Sequence, residues 1–156
     1  MAIPWAVRLS SPNPNTRPGA RNSGKEEVMA NIIVIDDEPI VLELVLATLK
    51  NAGHSVTALN GPLDVFELPA ATLKSTDLLL TDVSLKPISG FEVVRRLTLQ
   101  DIHPKALFMS GYSGVASAIS DQYGENSVIE KPFTLAQLRT AVDKLLGGNK
   151  HHACSL

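Results

Sequence analysis

Three short polar segments, each directly after an apolar run, contain the residues of this sequence that could carry out chemistry. They supply Asp36 and Asp37, Asp82, and Lys131. Apolar runs of this kind are typical of strands buried on both faces of a parallel sheet, and the carboxyl ends of such strands meet at one edge. Carboxylates that converge there cannot all stay ionised without a compensating charge, so the pattern indicates a divalent metal ion and phosphoryl transfer.

The residue types at these positions fit that chemistry. Mg²⁺ prefers one or two carboxylates together with waters and phosphate oxygens. Beside such a metal, one carboxylate can act as a nucleophile on phosphorus. Lys131 adds a positive charge, and the hydroxyl of Ser110, at the end of a further apolar run, can donate a hydrogen bond to a phosphoryl oxygen.

Composition describes a globular protein. The chain has 156 residues, of which 44% are hydrophobic and 19% charged, and its net charge is −2. This length suits one domain, the charge gives no reason to expect direct contact with nucleic acid, and no apolar run reaches the roughly 20 residues of a membrane span. The single cysteine, Cys154, allows no disulfide within the chain, which fits a reducing compartment and predicts a cytoplasmic location.

The chain divides into three regions. Residues 1–28 are rich in Pro, Gly, Ser and Asn without hydrophobic periodicity, and we predict a disordered leader there, with Met29 as a candidate natural start. Residues 29–147 form the predicted domain. Residues 148–156 are predicted to be a flexible tail, because Gly147 and Gly148 are expected to end the last helix.

Alternating apolar runs and helical patterns predict five strands and five helices, which is typical of a doubly wound α/β sheet. The predicted strands are 31–35, 54–58, 77–81, 105–109 and 127–129. The helices are predicted to span 39–51, 63–73 with an interruption at Pro69, 90–100, 115–122 and 135–146. The expected buried stripes are Ile40, Leu44, Ala47 and Leu49 in the first helix and Leu135, Leu138, Val142 and Leu145 in the last.

At the polar segments the chain resembles the receiver domain of two-component response regulators, over roughly residues 30–146. The family pattern is an acidic pair after the first strand, a phosphorylated Asp after the third, Ser or Thr after the fourth, and Lys-Pro after the fifth. The resemblance implies a flavodoxin-like strand order 2-1-3-4-5. It also implies that Asp82 is the phosphoacceptor and that Asp36, Asp37, Asp82 and the Ser84 carbonyl hold Mg²⁺.

The same resemblance assigns the remaining site residues. Lys131 would pair with the phosphoryl group, Ser110 would be the switch hydroxyl, and the Lys131–Pro132 bond would be cis. The run Ser110-Gly111-Tyr112-Ser113 looks most like receivers attached to hybrid sensor kinases.

The resemblance implies a single-domain response regulator in phosphorelay signalling. It would take a phosphoryl group onto Asp82 from a histidine kinase or a histidine phosphotransfer protein and act on an unknown downstream protein. It would bind neither nucleic acid nor membrane directly. We expect it not to be an enzyme.

Two departures from the family pattern leave alternatives open. Lys86 stands where the family usually has Pro, and Val128 stands where it usually has Phe or Tyr, so a pseudo-receiver that binds partners without phosphorylation is one alternative. A rival from another class is an Mg²⁺-dependent phosphohydrolase resembling the haloacid dehalogenase group, but that group needs Asp-x-Asp, whereas Asp36 and Asp37 are adjacent, and a cap insertion for which the chain has no room. Taken singly, each acidic residue could be an ordinary helix-start or turn residue and Lys131 a surface lysine. Their joint occurrence at four strand ends favours a site.

Overall fold

Five parallel strands form the centre of the sheet in the computed structural model of the chain, which describes residues 7–8 and 29–154. The strands are β1 (Val7–Arg8), β2 (Asn31–Ile35), β3 (Ser55–Leu59), β4 (Leu78–Asp82), β5 (Lys105–Ser110) and β6 (Val128–Glu130). Their order in the sheet is β1-β3-β2-β4-β5-β6. Numbered by themselves, the five parallel strands follow the order 2-1-3-4-5, and their bounds agree with the predicted ones to within one residue. The predicted fold class is confirmed.

Helices connect the strands. They are α1 (Pro39–Asn51), α2 (Ala70–Lys74), α3 (Gly90–Leu99), α4 (Ala116–Tyr123) and α5 (Leu135–Cys154), with 3₁₀ turns at Pro62–Glu67 and Ser113–Val115. The predicted second helix is divided at Pro69, which precedes α2 as its N-cap residue. Two apolar clusters cover the two faces of the sheet, one against α1 and α5 and the other against α3 and the segment before α2. Among the described helices, none combines the length and apolar character needed to cross a membrane.

The strand β1 was not predicted. It pairs antiparallel with the outer edge of β3, with Val7 opposite Ala58 and Arg8 opposite Thr57. The predicted disordered leader over residues 1–28 is therefore wrong at these two residues, since a sheet edge offers unpaired backbone groups to any extended segment nearby. The other leader residues lie outside the described part of the chain, and for them the leader stays a prediction.

The predicted buried stripe of α1 is wrong at three of its four residues and is confirmed at Leu49. Ile40 is 74% exposed and Leu44 50% exposed, and Ala47 is also exposed, whereas Leu42, Val45 and Leu49 are buried. The helix is apolar around most of its circumference, so periodicity alone does not define its inner face. Its orientation is set instead by the short connection from β2, in which Pro39 is the first helical residue.

The last helix differs from prediction at both ends. Leu138 and Val142 are buried and Leu145 is half-buried as predicted, but Leu135 in the first turn is 45% exposed. At the other end, α5 continues through Gly147 to Cys154, so the predicted helix stop is wrong, whereas the flexibility of the tail from residue 148 stays a prediction. A glycine costs a helix only about 1 kcal/mol, and no proline follows to end it.

Candidate functional site

The predicted site residues lie together at the carboxyl edge of the sheet. Asp36 directly follows β2, Asp82 is the last residue of β4, Ser110 is the last residue of β5, and Lys131 directly follows β6. The parallel register places these strand ends side by side, because β4 pairs with both β2 and β5, and β5 pairs with β6. The four residues therefore lie at one edge of the sheet, as the sequence predicted, and their chemical roles stay a prediction.

Three carboxylates form the acidic part of this cluster. One oxygen each from Asp36, Asp37 and Asp82 lies within 4.8 Å of the others. Asp36 and Asp82 are buried, whereas Asp37 is exposed. Mg²⁺ binds oxygens at about 2.0–2.1 Å, so ligand oxygens on one ion are at most about 4.2 Å apart, close to the spacing found here. Donor type and spacing therefore fit Mg²⁺ with a partly open, solvent-facing side.

Burial determines the electrostatics of the two inner carboxyl groups. Desolvation raises the pKa of Asp36 and the pKa of Asp82 above the usual value for aspartate. Hydrogen bonds act in the opposite direction. Asp36 Oδ1 accepts from the Glu38 amide at 2.9 Å, and Asp82 Oδ1 accepts from the Ser84 amide at 3.3 Å. The inner carboxylates are thus costly to keep ionised, and a cation beside them lowers that cost.

Lys131 supplies such a cation. Its Nζ lies 2.9 Å from Asp36 Oδ2, 3.1 Å from Glu38 Oε1 and 3.5 Å from Asp82 Oδ2. Burial lowers the pKa of Lys131, but the hydrogen bond and charge of Asp36, followed by Glu38 and Asp82, outweigh this effect and the net shift is upward. The ammonium is therefore firmly protonated.

The backbone around Lys131 fixes where its side chain begins. Its amide donates to the Ser110 carbonyl at 2.7 Å. The following bond, Lys131–Pro132, is cis, as the resemblance implied. Three residues on, Thr134 and Gln137 exchange hydrogen bonds between side chain and backbone, which caps α5 at its start.

The hydroxyl of Ser110 is buried and bonded within its own loop. Its Oγ donates to the Tyr112 carbonyl at 3.2 Å and accepts from the Tyr112 amide at 3.1 Å. Any bond from this hydroxyl to a group on Asp82 therefore requires it to leave the Tyr112 carbonyl.

Gly90 and Glu38 belong to the neighbourhood of the site although they were not predicted as site residues. A Cβ at Gly90 would collide with the carbonyl oxygen of Asp82, so only glycine lets α3 start this close to the end of β4. Glu38 reaches Lys131 across the mouth of the site. A third acid after Asp36-Asp37 was the available sequence signal for Glu38, but its spacing also suits the start of a helix.

An aromatic cluster lies beside the site. The ring centroid of Phe108 is 4.9 Å from that of Phe91 and 4.7 Å from that of Tyr123, and the rings of Phe91 and Tyr123 are 6.0 Å apart. These rings join α3, β5 and α4. Val128 pairs with Phe108 across β5 and β6 and is half-buried.

Comparison with known proteins decides the family. A sequence model described as the response regulator receiver domain matches residues 32–143, well over half of the chain. The chain belongs to this family. The phosphohydrolase alternative is thereby replaced. Receivers bind Mg²⁺ at an acidic pocket, and they interact with histidine kinases or phosphotransfer proteins.

Individual relatives agree with this assignment. The response regulator receiver protein CpdR of Brucella abortus is 29% identical over 76% of this chain and 98% of its own length. The cell cycle response regulator CtrA of the same species is 25% identical over 80% of this chain, which spans only 53% of CtrA.

Solved structures share the fold. The chemotaxis response regulator CheY4 of Vibrio cholerae superposes with a TM-score of 0.66 at 21% identity, covering 76% of this chain and all of CheY4. The response regulator TrrA of Thermotoga maritima, solved in complex with Mg²⁺-BeF, gives a TM-score of 0.64 at 26% identity over 76% of this chain and all of TrrA.

One sequence prediction is corrected by these comparisons. The prediction that the protein is not an enzyme is withdrawn: the match to the receiver family and the similarity to CpdR identify a response regulator receiver, and neither supports a statement that the chain lacks catalysis.

Proposed function

We propose that this protein is a single-domain response regulator that accepts a phosphoryl group on Asp82 from a phosphohistidine of a histidine kinase or a histidine phosphotransfer protein. The observation that carries the proposal is the position of Asp82. Its carboxyl group is buried at the end of β4, with Asp36 and Asp37 on one side and the Lys131 ammonium 3.5 Å away.

The chemistry assigned to Asp82 is nucleophilic. One carboxylate oxygen attacks phosphorus, the P–O bond forms as the P–N bond to the donor imidazole breaks, and the imidazole leaves with the electron pair. Lys131 neutralises charge on the transferred group as a point charge. Mg²⁺ held by Asp36, Asp37, Asp82 and the Ser84 carbonyl would offset the remaining negative charge.

Ser110 is the proposed link between the acyl phosphate and the rest of the domain. Its hydroxyl now donates to the Tyr112 carbonyl, and a phosphoryl oxygen on Asp82 offers a charged acceptor in its place. The exchange would free the loop after β5. We propose that the downstream protein reads the resulting change on the surface formed by α4, β6 and α5.

The aromatic cluster supports a modified form of this switch. With Val128 on β6, no aromatic side chain is available at that position to follow Ser110. Phe108, two residues before Ser110 on the same strand, instead contacts Tyr123 at the end of α4. A shift of β5 or of the loop after it would therefore displace α4, because the Phe108 and Tyr123 rings pack against each other.

The cellular setting is part of the proposal. We propose a cytoplasmic location, which is supported by the presence of one cysteine in the chain. Histidine kinases and phosphotransfer proteins are the proposed upstream partners.

The test is covalent labelling of Asp82. The purified protein is incubated with acetyl phosphate and Mg²⁺, and an acid-stable, alkali-labile phosphoryl adduct is sought by intact-mass analysis and located by peptide mapping. Asp82→Asn should abolish the adduct. Asp101→Asn is the matched control, because the Asp101 side chain is 96% exposed in the turn before β5, at the opposite edge of the sheet. An unlabelled wild-type protein would point to the pseudo-receiver instead, and an adduct that survives in Asp82→Asn would place the acceptor elsewhere.

A further inference from the structure

The side chain of Glu38 is the outermost partner of Lys131. Its Oε1 lies 3.1 Å from the ammonium, closer than Asp82 Oδ2 at 3.5 Å. The Glu38 side chain is 61% exposed, whereas that of Asp36, the third partner, is fully buried. The ammonium is thus shared between a buried carboxylate at the base of the site and an exposed one at its mouth.

The backbone holds Glu38 in this place. It is the N-cap residue of α1, with extended φ and ψ. Its amide donates to Asp36 Oδ1 at 2.9 Å, and its carbonyl accepts from the Leu42 amide at 3.0 Å. The Glu38 side chain makes no cap bond to the helix, so it is available to Lys131. The carboxylates grouped as a potential metal site are Asp36, Asp37 and Asp82, and Glu38 is not among them.

Lys131 has three N–H donors; its ammonium donates to Asp36 and Glu38 and lies within ion-pair distance of Asp82. A phosphoryl group on Asp82 adds a doubly charged acceptor beside Asp82, on the inner side of the ammonium. Asp36 is buried and accepts a hydrogen bond from the Glu38 amide, so it cannot easily move away from the ammonium. Glu38 is exposed and can regain water when it is released, so it is the partner that the phosphoryl group replaces most easily.

We propose that Glu38 is a positioning residue that holds the Lys131 ammonium toward the mouth of the site and competes with the phosphoryl group for it. The inference rests on the proposed function of Asp82 and adds a residue that limits how far Asp82 is phosphorylated. Glu38 lowers the extent of phosphorylation by stabilising the unphosphorylated arrangement. Its loss should favour the phosphorylated form by about two- to fivefold, the range that an exposed ion pair supplies.

The experiment compares Glu38→Gln with the wild type by two measurements. One is the concentration of beryllofluoride, a phosphoryl mimic, that half-saturates the protein at fixed Mg²⁺, followed by NMR. The other is the rate of phosphate uptake from acetyl phosphate. Glu38→Gln should lower the half-saturating concentration and raise the rate by about two- to fivefold in low salt, and both differences should shrink in high salt because the pair is exposed.

Two further variants distinguish the direct contact between Glu38 and Lys131 from a long-range effect of negative charge. Glu38→Asp keeps the charge but shortens the side chain, so it should behave like Glu38→Gln if contact with Lys131 matters. Glu43→Gln removes one exposed negative charge from α1, farther from the site, and should behave like the wild type.

The outcomes are distinguishable. A Glu38→Gln protein with wild-type affinity and rate, or with weaker binding of beryllofluoride, would overturn the inference. A gain matched by Glu43→Gln, or a wild-type-like Glu38→Asp, would also overturn it, since either result requires only long-range charge. If the wild type takes up neither beryllofluoride nor phosphate, the proposed function itself fails.

Discussion

At the scale of single residues, the site contains more negative than positive charge, because three carboxylates lie beside one ammonium group. Asp36 and Asp82 are buried beside Asp37, and Lys131 is the cation in contact with them. Two carboxylates within 5 Å at an effective dielectric near 20 repel by roughly 3 kcal/mol. Burial is the main cause of the raised pKa of each inner carboxyl group, and this repulsion accounts for the smaller upward contribution of a neighbouring carboxylate. A divalent cation and a phosphoryl anion are complementary additions to such a site.

Removal of the exposed Asp37 carboxylate tests the proposed metal site with little expected effect on the fold. We predict that Mg²⁺ raises the stability of the wild type by about 1.4 kcal/mol at ten times its dissociation constant, because a ligand that binds only the native state stabilises it by mass action. Asp37→Ala should lose most of this dependence while remaining folded, since Asp37 is exposed. Urea denaturation with and without Mg²⁺ measures both effects.

The control for this prediction is Glu43, another exposed acid, which lies in α1. Glu43→Ala should keep the full Mg²⁺ dependence. An unchanged Mg²⁺ dependence in Asp37→Ala would remove Asp37 from the metal site, and a wild type insensitive to Mg²⁺ would argue against the site as a whole.

The sequence identified the residues at the strand ends better than it identified their partners. Asp36, Asp82, Ser110 and Lys131 could be placed because the carboxyl end of a buried parallel strand is fixed by the length of its apolar run. The contact between Glu38 and Lys131 could not be predicted, because it depends on the rotamers of two long side chains separated by 93 positions. The same holds for the bond from Ser110 to the Tyr112 carbonyl.

At the scale of elements, the face of a helix that packs inward was harder to predict than the residues at which the helix begins and ends. The bounds of α1 follow from Pro39 at its start and the Ala52-Gly53 turn after its end. Its inner face did not follow, because apolar residues lie on most sides of the helix. The result is that Ile40 and Leu44 face outward.

The aromatic cluster makes a prediction about how α4 is held. Tyr123 is half-buried against Phe108 and Phe91, and burial raises the pKa of its hydroxyl. Tyr123→Ala should lower the free energy of unfolding by about 2–3 kcal/mol, less than the loss for a fully buried aromatic residue. Tyr123→Phe should cost well under 1 kcal/mol, because the ring contacts remain. Equilibrium denaturation in urea provides both values.

Tyr112 supplies the matched comparison, since it is the other tyrosine of the chain and is 65% exposed. Tyr112→Ala should change stability by less than about 0.5 kcal/mol. Equal losses in Tyr112→Ala and Tyr123→Ala would contradict a stabilising role for the cluster.

At the scale of the whole molecule, the sequence predicted the central sheet and missed its outer edge. Buried parallel strands appear as apolar runs separated by helices, so their number and succession are visible in the residues. The pairing of β1 with β3 joins residues about 50 positions apart through backbone hydrogen bonds, and no side-chain pattern marks it. We still propose that residues 29–147 contain the functional domain and that most of the leader is dispensable for it.

Deletion of residues 1–28 tests this division. A chain beginning at Met29 should keep its fold and lose less than about 1 kcal/mol of stability. The hydrogen bonds of a two-residue strand contribute about 0.5–1.5 kcal/mol each, and ordering the residues costs about 1–2 kcal/mol each. The deletion should also leave the outer edge of β3 unpaired, so the shortened protein should associate more readily at high concentration. Urea denaturation measures the stability, and light scattering over a concentration series measures the association.

A point variant shows whether β1 itself produces these effects. Val7→Pro removes an amide donor opposite Ala58 and disfavours pairing without shortening the chain. It should reproduce the increased association of the deletion if the edge of β3 is normally covered by β1. A deletion that costs more than about 3 kcal/mol, with Val7→Pro close to the wild type, would show that other leader residues dock on the domain. Equal association in all three proteins would show that β1 does not protect this edge in solution.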